Sequence, residues 1–209
     1  MMNENNVTQA LPPFARGVRG DVIDINQKLG VGIRKMDFED LESVYEIETK
    51  CFADPWKMVS FEESLMSSEC LVLYKGKPIG DWHYGPTLMS IGTIDGTVGT
   101  IMGFFIGMGS IDEYTICNVA ILPEYQGRGF GFYFVSSIIQ NHHQRYEKYI
   151  LEVRKSNAGA IALYEKIGFK PSYERKKYYQ NPLEDAVVMV YEHMLFSLDN
   201  KKIVEILDK

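Results

Sequence analysis

Cys117-Asn118-Val119-Ala120-Ile121-Leu122-Pro123, followed by Gln126-Gly127-Arg128-Gly129-Phe130-Gly131, decides how this chain folds. The first part is a short apolar run closed by a proline, which lacks a backbone donor and ends a strand. Beyond the glycines, Phe130, Phe134, Val135, Ile138 and Ile139 recur at helical spacing. The order from Ile116 to Ile139 is therefore strand, glycine turn, helix. A helix start leaves several N–H groups unpaired and attracts anions. With no Cβ at Gly127, Gly129 or Gly131, an anion can come close to the main chain. The physical reading is a cradle for a pyrophosphate.

Three glycines at a plain helix start would look much the same, so the spacing has to decide. No Lys-Ser or Lys-Thr follows them, as a Walker loop requires. A dinucleotide fold asks for Gly-x-Gly-x-x-Gly with an acidic residue about twenty positions on, and the glycine spacing here fits it poorly. Gln126-x-x-Gly129-x-Gly131 is instead similar to the pyrophosphate motif of the GCN5-related N-acetyltransferases, the GNAT superfamily, which bind acetyl-coenzyme A.

The 209 residues suit one domain with a sizeable core. A net charge of −6 argues against a general nucleic-acid partner, which would need a basic face. Cys51, Cys70 and Cys117 are odd in number and scattered, which suggests reduced thiols in a cytoplasmic protein. The histidines show no metal-site spacing, so no metal is expected. The amino end carries no signal-peptide pattern. Gly96 to Ile111 is uncharged, and Gly99, Gly103 and Gly107 mimic a helix-dimer repeat. That run is shorter than the roughly 20 residues of a span, and Asp95 and Asp112 bound it. A buried strand pair is the better reading, and no membrane partner is expected.

Along the chain, residues 1–30 lack periodicity and read as a flexible extension. A strand is expected at Ile33 to Lys35. Asp37 caps a helix whose Leu41, Val44, Tyr45 and Glu48 share one side. Pro55 breaks it, and Ser60-Phe61-Glu62-Glu63 reads as a capping box opening a second helix. Phe52 and Trp56, on the loop between, either cover the core or wall a substrate channel. Strands follow at Leu71 to Tyr74, Met102 to Met108 and Tyr149 to Arg154. Pro78 to Thr100 is read as hairpin strands with loops. Asn157 caps a helix carrying Ile161, Leu163, Tyr164 and Ile167 and ending at Gly168. Tyr173 to Tyr179 and Val187 to Tyr191 close the sheet, and Leu198 to Leu207 reads as a short terminal helix. The division expected is an extension over 1–30, one domain over 31–195 and a helical tail over 196–209.

From Ile116 to Met194, about two fifths of the chain, the sequence resembles the RimI-type protein N-terminal acetyltransferases. The motifs that carry this are Asn118-Val119-Ala120-Ile121 with Gln126 to Gly131, then Leu151-Glu152-Val153-Arg154-Lys155-Ser156-Asn157. Ala160-Ile161-Ala162-Leu163-Tyr164-Glu165-Lys166-Ile167-Gly168-Phe169 follows, and Arg175-Lys176-Lys177-Tyr178-Tyr179 with Glu184-Asp185-Ala186 completes the set. The resemblance implies an α/β (α+β) GNAT fold. Its sheet is mixed, mainly antiparallel and splayed at the central strand, with helices on both faces. It implies acetyl-CoA as cosubstrate, with Val119, Ala120 and Ile121 offering backbone groups to the pantetheine arm. Gln126, Gly127, Arg128, Gly129, Phe130, Gly131 and Phe132 would hold the pyrophosphate, and Asn157 would contact the coenzyme. Glu152 corresponds to the general base and Tyr164 to the general acid. Phe52, Trp56, Tyr178 and Tyr179 would contact a peptide acceptor. The partner implied is the N-terminus of a protein, with the enzyme a monomer or weak homodimer.

Plainer roles exist for the same residues. Glu152 would also serve as a solvated strand residue paired with Arg154 or Lys155, and Tyr164 as core. Tyr178 and Tyr179 suit packing, Asn157 a simple cap, and Arg175, Lys176 and Lys177 a solvated face. Departures from the family pattern bear on specificity. Ala53 and Asp54 stand between Phe52 and Pro55 where the family has Phe-Pro-Trp, and the Gly/Thr-rich segment around 78–100 is long. Lysine side chains or small amines therefore stand as alternative acceptors, and a non-catalytic acyl-CoA sensor as an alternative of another class.

Overall fold

The computed structural model describes residues 30–76, 99–142 and 145–192. The expected extension before residue 30, the hairpins over most of 78–100 and the terminal helix lie outside the described residues. Strand β1 (Val31–Lys35) leads through a 3-10 turn (Phe38–Asp40) into α1 (Leu41–Cys51) and α2 (Met58–Ser67). Strands β2 (Glu69–Lys75), β3 (Thr100–Gly109) and β4 (Glu113–Ile121) follow, then α3 (Phe130–His142) and β5 (Lys148–Arg154). The described part ends with α4 (Ala158–Ile167), β6 (Lys170–Gln180) and β7 (Leu183–Glu192). None of the described helices is long and apolar enough to cross a membrane.

The seven strands form one sheet in the order β1-β2-β3-β4-β5-β7-β6. Every pairing is antiparallel except β4 with β5, which run parallel. Apolar residues on alternate strand positions divide between two cores. One lies under α3 and α4 and includes Tyr114, Ile116, Phe134, Tyr149, Leu151, Val153 and Tyr164. The other lies under α1 and α2 and includes Val44, Ile47, Phe61, Val72, Phe104 and Ala120. Helices thus cover both faces, as expected from the mixed α/β pattern.

Asp37 does cap, but it caps the 3-10 turn that feeds α1, accepting from Glu39 N–H within a reciprocal box with Asp40. The Ser60 capping box does not form. The helix begins at Met58 after Lys57, and Ser60 sits inside it, its carbonyl accepting from the Ser64 hydroxyl. Packing decides this boundary: Phe61 is fully buried edge-on against Phe104, and the helix extends back to bring it there.

Gly103 and Gly107 of the uncharged run lie in β3, where they let other chain segments come close. A Cβ at Gly103 would stand 2.5 Å from the carbonyl oxygen of Ala120, and one at Gly107 would stand 2.5 Å from the Tyr114 ring. Since a backbone oxygen cannot swing aside, Gly103→Ala should lower stability by about 1–3 kcal/mol. Urea unfolding checks this, and an unchanged midpoint would show that β4 is free to shift.

Candidate active site

The parallel ladder between β4 and β5 is short. It joins Glu113–Ile116 to Lys148–Leu151 and stops at the Ile116–Leu151 pair. Beyond that point both strands keep their outer partners. β4 stays on β3 through Asn118–Ile121, and β5 stays on β7 through Glu152–Arg154. The sheet therefore opens into a gap whose walls are the inner edges of two strands. A bulge marks the same place: Ile106 pairs with Asn118 and Gly107 with Ile116, leaving Cys117 as the extra residue. Ile116 faces the core under α3, whereas Cys117 packs toward the α1–α2 side and Asn118 bonds a side chain of α1. A bulge reverses the alternation in this way, and past it Val119 packs on the α3 side and Ala120 on the α1 side.

At the far end of the gap, β4 passes through a 3-10 turn (Pro123–Tyr125) into the glycine turn. Gly127 and Gly129 have φ of 70° and 85°, where a side chain is strained, and a Cβ at Gly127 would meet nothing within 4 Å. Tyr133 N–H donates to Gly129 O, so the N–H groups from Gly129 to Phe132 have no acceptor within the helix. Arg128 is exposed beside them. Gly131 serves a different end: its Cβ would lie 3.2 Å from Leu163, so its bareness lets α3 and α4 pack. Gln126 turns back. Its amide donates to Ile121 O at 2.7 Å, an oxygen that also accepts from the Cys51 thiol. Ile121 thus has its carbonyl occupied and its turn held.

Glu152 is the first β5 residue past the end of the ladder, on the face opposite buried Leu151 and Val153. Its carboxylate meets Arg175 at 3.0 Å, not Arg154 or Lys155. Arg154 lies over the Tyr179 ring and pairs with Glu184, while Lys155 pairs with Glu174. Cys117, across the gap, has its thiol pushed up by burial and by the Glu152 charge. The β6 register slips between Arg175 and Tyr179, with Lys177 at φ 54°. That irregularity leaves Tyr178 exposed and brings the Tyr179 hydroxyl to the main-chain oxygen of Glu152 at 3.3 Å.

Tyr164 approaches from the other face. It is 7% exposed, within the core under α3 and α4, its ring edge-on to Phe169. Burial first, and then the neighbouring Tyr179 phenol, hold its hydroxyl protonated well above the ordinary tyrosine range. Tyr179 thus bonds the main chain of Glu152 and also helps hold the Tyr164 hydroxyl protonated. Asn157 caps α4 by accepting from Ala160 N–H at 3.0 Å.

The loop between α1 and α2 packs over the core beneath those helices. Phe52 and Trp56 are half-buried against the α1–α2 core, and Trp56 packs on Phe61. Trp56 N–H donates at 2.8 Å to Glu48, a carboxylate only 1% exposed that also accepts from Asn118.

An open helix start with room at Gly127 suits a pyrophosphate, and an unpaired strand edge suits an extended amide-bearing arm. Residues 41–169 match the Acetyltransferase (GNAT) family. The chain belongs to that family. It is an acetyl-CoA-dependent N-acetyltransferase. The ribosomal protein bS18-alanine N-acetyltransferase of Haemophilus influenzae is 34% identical over 161 residues, 75% of this chain and 95% of that protein. The Escherichia coli enzyme of the same name is 31% identical over 160 residues, 75% of this chain and 94% of its own. The crystal structure of the Escherichia coli ribosomal-protein-S18-alanine N-acetyltransferase superposes with a TM-score of 0.62 at 28% identity, covering 81% of this chain and 97% of that one. The RimI-type resemblance of the carboxyl half thus extends over most of the GNAT domain. Sequence reasoning left Arg175 on a solvated face and gave Glu48, Asn118 and Cys117 no part in the site. A carboxylate placed on the apolar side of α1 was the available signal for Glu48.

Proposed function

We propose that the chain transfers the acetyl group to the α-amine of a protein N-terminus, with Glu152 as general base and Tyr164 as general acid. The observation that carries this is the placement of Glu152 at the first position where β4 and β5 part. There β5 has lost its β4 partner, and the Glu152 carboxylate meets the half-exposed Arg175. Bound acetyl-CoA would supply an activated thioester in that gap, with Val119, Ala120 and Ile121 along its arm and Gly127 to Phe132 at its pyrophosphate. Gln126 would act by holding the turn, and Asn157 by ordering the start of α4.

A free α-amine has a pKa near 8, so roughly a tenth is neutral at pH 7 and able to attack. Glu152 takes the proton as the amine commits, directly or through one water. Tyr164 keeps its proton because it is buried, and it gives that proton to the departing sulfur. A main-chain N–H of β4, at Val119 or its neighbour, would bond the carbonyl oxygen as charge develops. Phe52, Trp56, Tyr178 and Tyr179 flank the entrance from two sides and suit a peptide chain more than a small polyamine. The naming of the Haemophilus and Escherichia relatives favours an N-terminal residue, with a ribosomal protein among the candidates. A lysine amine, with a pKa above 10, is far less often neutral and asks for a stronger base. The reaction proceeds in a cytoplasmic ternary complex without an acylated residue.

Thiol release measured against short peptides with free N-termini, internal-lysine peptides and small amines tests the acceptor. Turnover of small amines alone would remove the peptide reading, and no turnover with any amine would favour an acyl-CoA sensor. Tyr164→Phe should lower kcat about 100-fold, the low end of what a positioned acid contributes, with the KM for acetyl-CoA little changed. An unchanged kcat would assign Tyr164 to packing.

A further inference from the structure

Glu48 ties the main chain of the α1–α2 loop to β4, and the proposed chemistry does not use it. It sits in the last turn of α1, 1% exposed. One carboxylate oxygen accepts from Trp56 N–H at 2.8 Å and the other from the Asn118 amide at 3.1 Å. The first bond fixes the loop Phe52–Lys57, and the second fixes β4 immediately after the Cys117 bulge. Its own main-chain oxygen accepts from Phe52 N–H, so the loop is held where it leaves the helix as well.

Stability does not account for a carboxylate here. Burying a charge costs several kcal/mol even when paired, and a well-packed apolar side chain is often neutral or better. Neither partner of Glu48 is a cation. Both are directed neutral donors, one main-chain and one amide, so what the carboxylate supplies is geometry. Burial raises its pKa and the two donors oppose that rise; burial first, and then the Glu48 charge, push the Cys51 thiol up to about 11.

We propose that Glu48 is the positioning residue of the acceptor site, holding the main chain of Trp56 against the bulged part of β4 so that the loop presents Phe52 and Trp56 to the incoming amine. This rests on the amine-acetylating function proposed above. Glu48 acts through the loop rather than on the reacting atoms, so its loss falls on acceptor binding and spares the coenzyme.

The test compares Glu48→Ala, Glu48→Gln and Asn118→Ala in the full chain. It uses the acceptor that the wild-type enzyme turns over best, with acetyl-CoA affinity followed by calorimetry. Misplacing a positioning element by about an ångström costs up to about a hundredfold, so Glu48→Ala should raise the acceptor KM about 10- to 100-fold. Its kcat and coenzyme affinity should stay within about threefold of wild type. Glu48→Gln should restore most of the KM, because its carbonyl still accepts from Trp56 N–H and the Asn118 amide can turn over to accept from its NH₂. Asn118→Ala removes only the strand-side bond and should give the same acceptor-selective rise, smaller in size. If Glu48→Ala fails to fold, Glu48→Gln and Asn118→Ala still decide. A KM unchanged in folded Asn118→Ala, a Gln variant as impaired as the Ala variant, or a loss confined to coenzyme binding would each overturn the proposal. If the wild type prefers a small amine, the peptide acceptor is lost, while the same comparison on that amine still judges Glu48.

Discussion

Glu152→Gln lowers kcat by about 10²- to 10⁴-fold, the range that a positioned base contributes, while acetyl-CoA binds with its wild-type affinity. Gln matches Glu in size and can still lie in the gap, so the variant removes the proton acceptor and little else. Its fold should survive. The carboxylate's ion pair is with Arg175, which is half-exposed, and such pairs contribute about 0–1 kcal/mol. The coenzyme contacts expected here belong to the main chain of β4 and the start of α3, neither of which Glu152 touches. Single-turnover rates with the preferred acceptor, set beside calorimetric affinity for acetyl-CoA, give the two readings needed. A variant with wild-type turnover would return Glu152 to the plainer role of a solvated strand residue. One with lost coenzyme affinity would place it in binding. The expected pattern also contrasts with Glu48, where the Gln variant is the mild one. Two carboxylates on the same side of the sheet are thus told apart by what an amide can replace: a pair of accepted hydrogen bonds in one case, a proton acceptor in the other.

Much of the fold was legible because it rests on local spacing. Strand β4, the glycine turn and α3 follow from a short apolar run, a proline and a period-3.6 run, and each signal lies within a few residues of the structure it dictates. Asn157 and Gly168 mark the ends of α4 for the same reason. Where the outcome depended on distant contacts, reading failed. Ser60-Phe61-Glu62-Glu63 has the form of a capping box, yet burial of Phe61 against Phe104, 43 residues away, pulls the helix start back to Met58. Arg175 reaches Glu152 across β7, a neighbour that depends on strand order and on the slipped register of β6. The Arg175-Lys176-Lys177 run looks like solvated charge because nothing in its own neighbourhood says otherwise. Glu48 is legible as a polar residue on an apolar helix side, but both its partners are set by tertiary packing. The extent of the β4–β5 ladder, on which the site depends, leaves no local mark beyond the motif that follows it.

Gly127→Val should weaken acetyl-CoA binding about a hundredfold or more, whereas Gly131→Ala should change it little, and the contrast separates the two uses of glycine in this turn. At Gly127 the backbone is at φ 70°, a region costing a side chain about 1–2 kcal/mol. A β-branched residue there has no protein atom to meet within 4 Å of its Cβ. Its bulk would enter the space that the pyrophosphate would take beside the open N–H groups of α3. The penalty on the free protein is therefore the backbone strain, and the larger penalty appears only when coenzyme binds. At Gly131 the neighbour is Leu163, whose Cδ2 is 3.2 Å from the position of an added Cβ. A flexible leucine can yield by a few tenths of an ångström, so the cost falls on the packing of α3 against α4 and is seen in thermal unfolding. Calorimetry with acetyl-CoA and a melting curve for each variant resolve the pair. If Gly127→Val binds coenzyme normally, the helix start is not the phosphate site. If Gly131→Ala loses coenzyme as Gly127→Val does, the two glycines act together on the ligand and the packing role assigned to Gly131 is wrong.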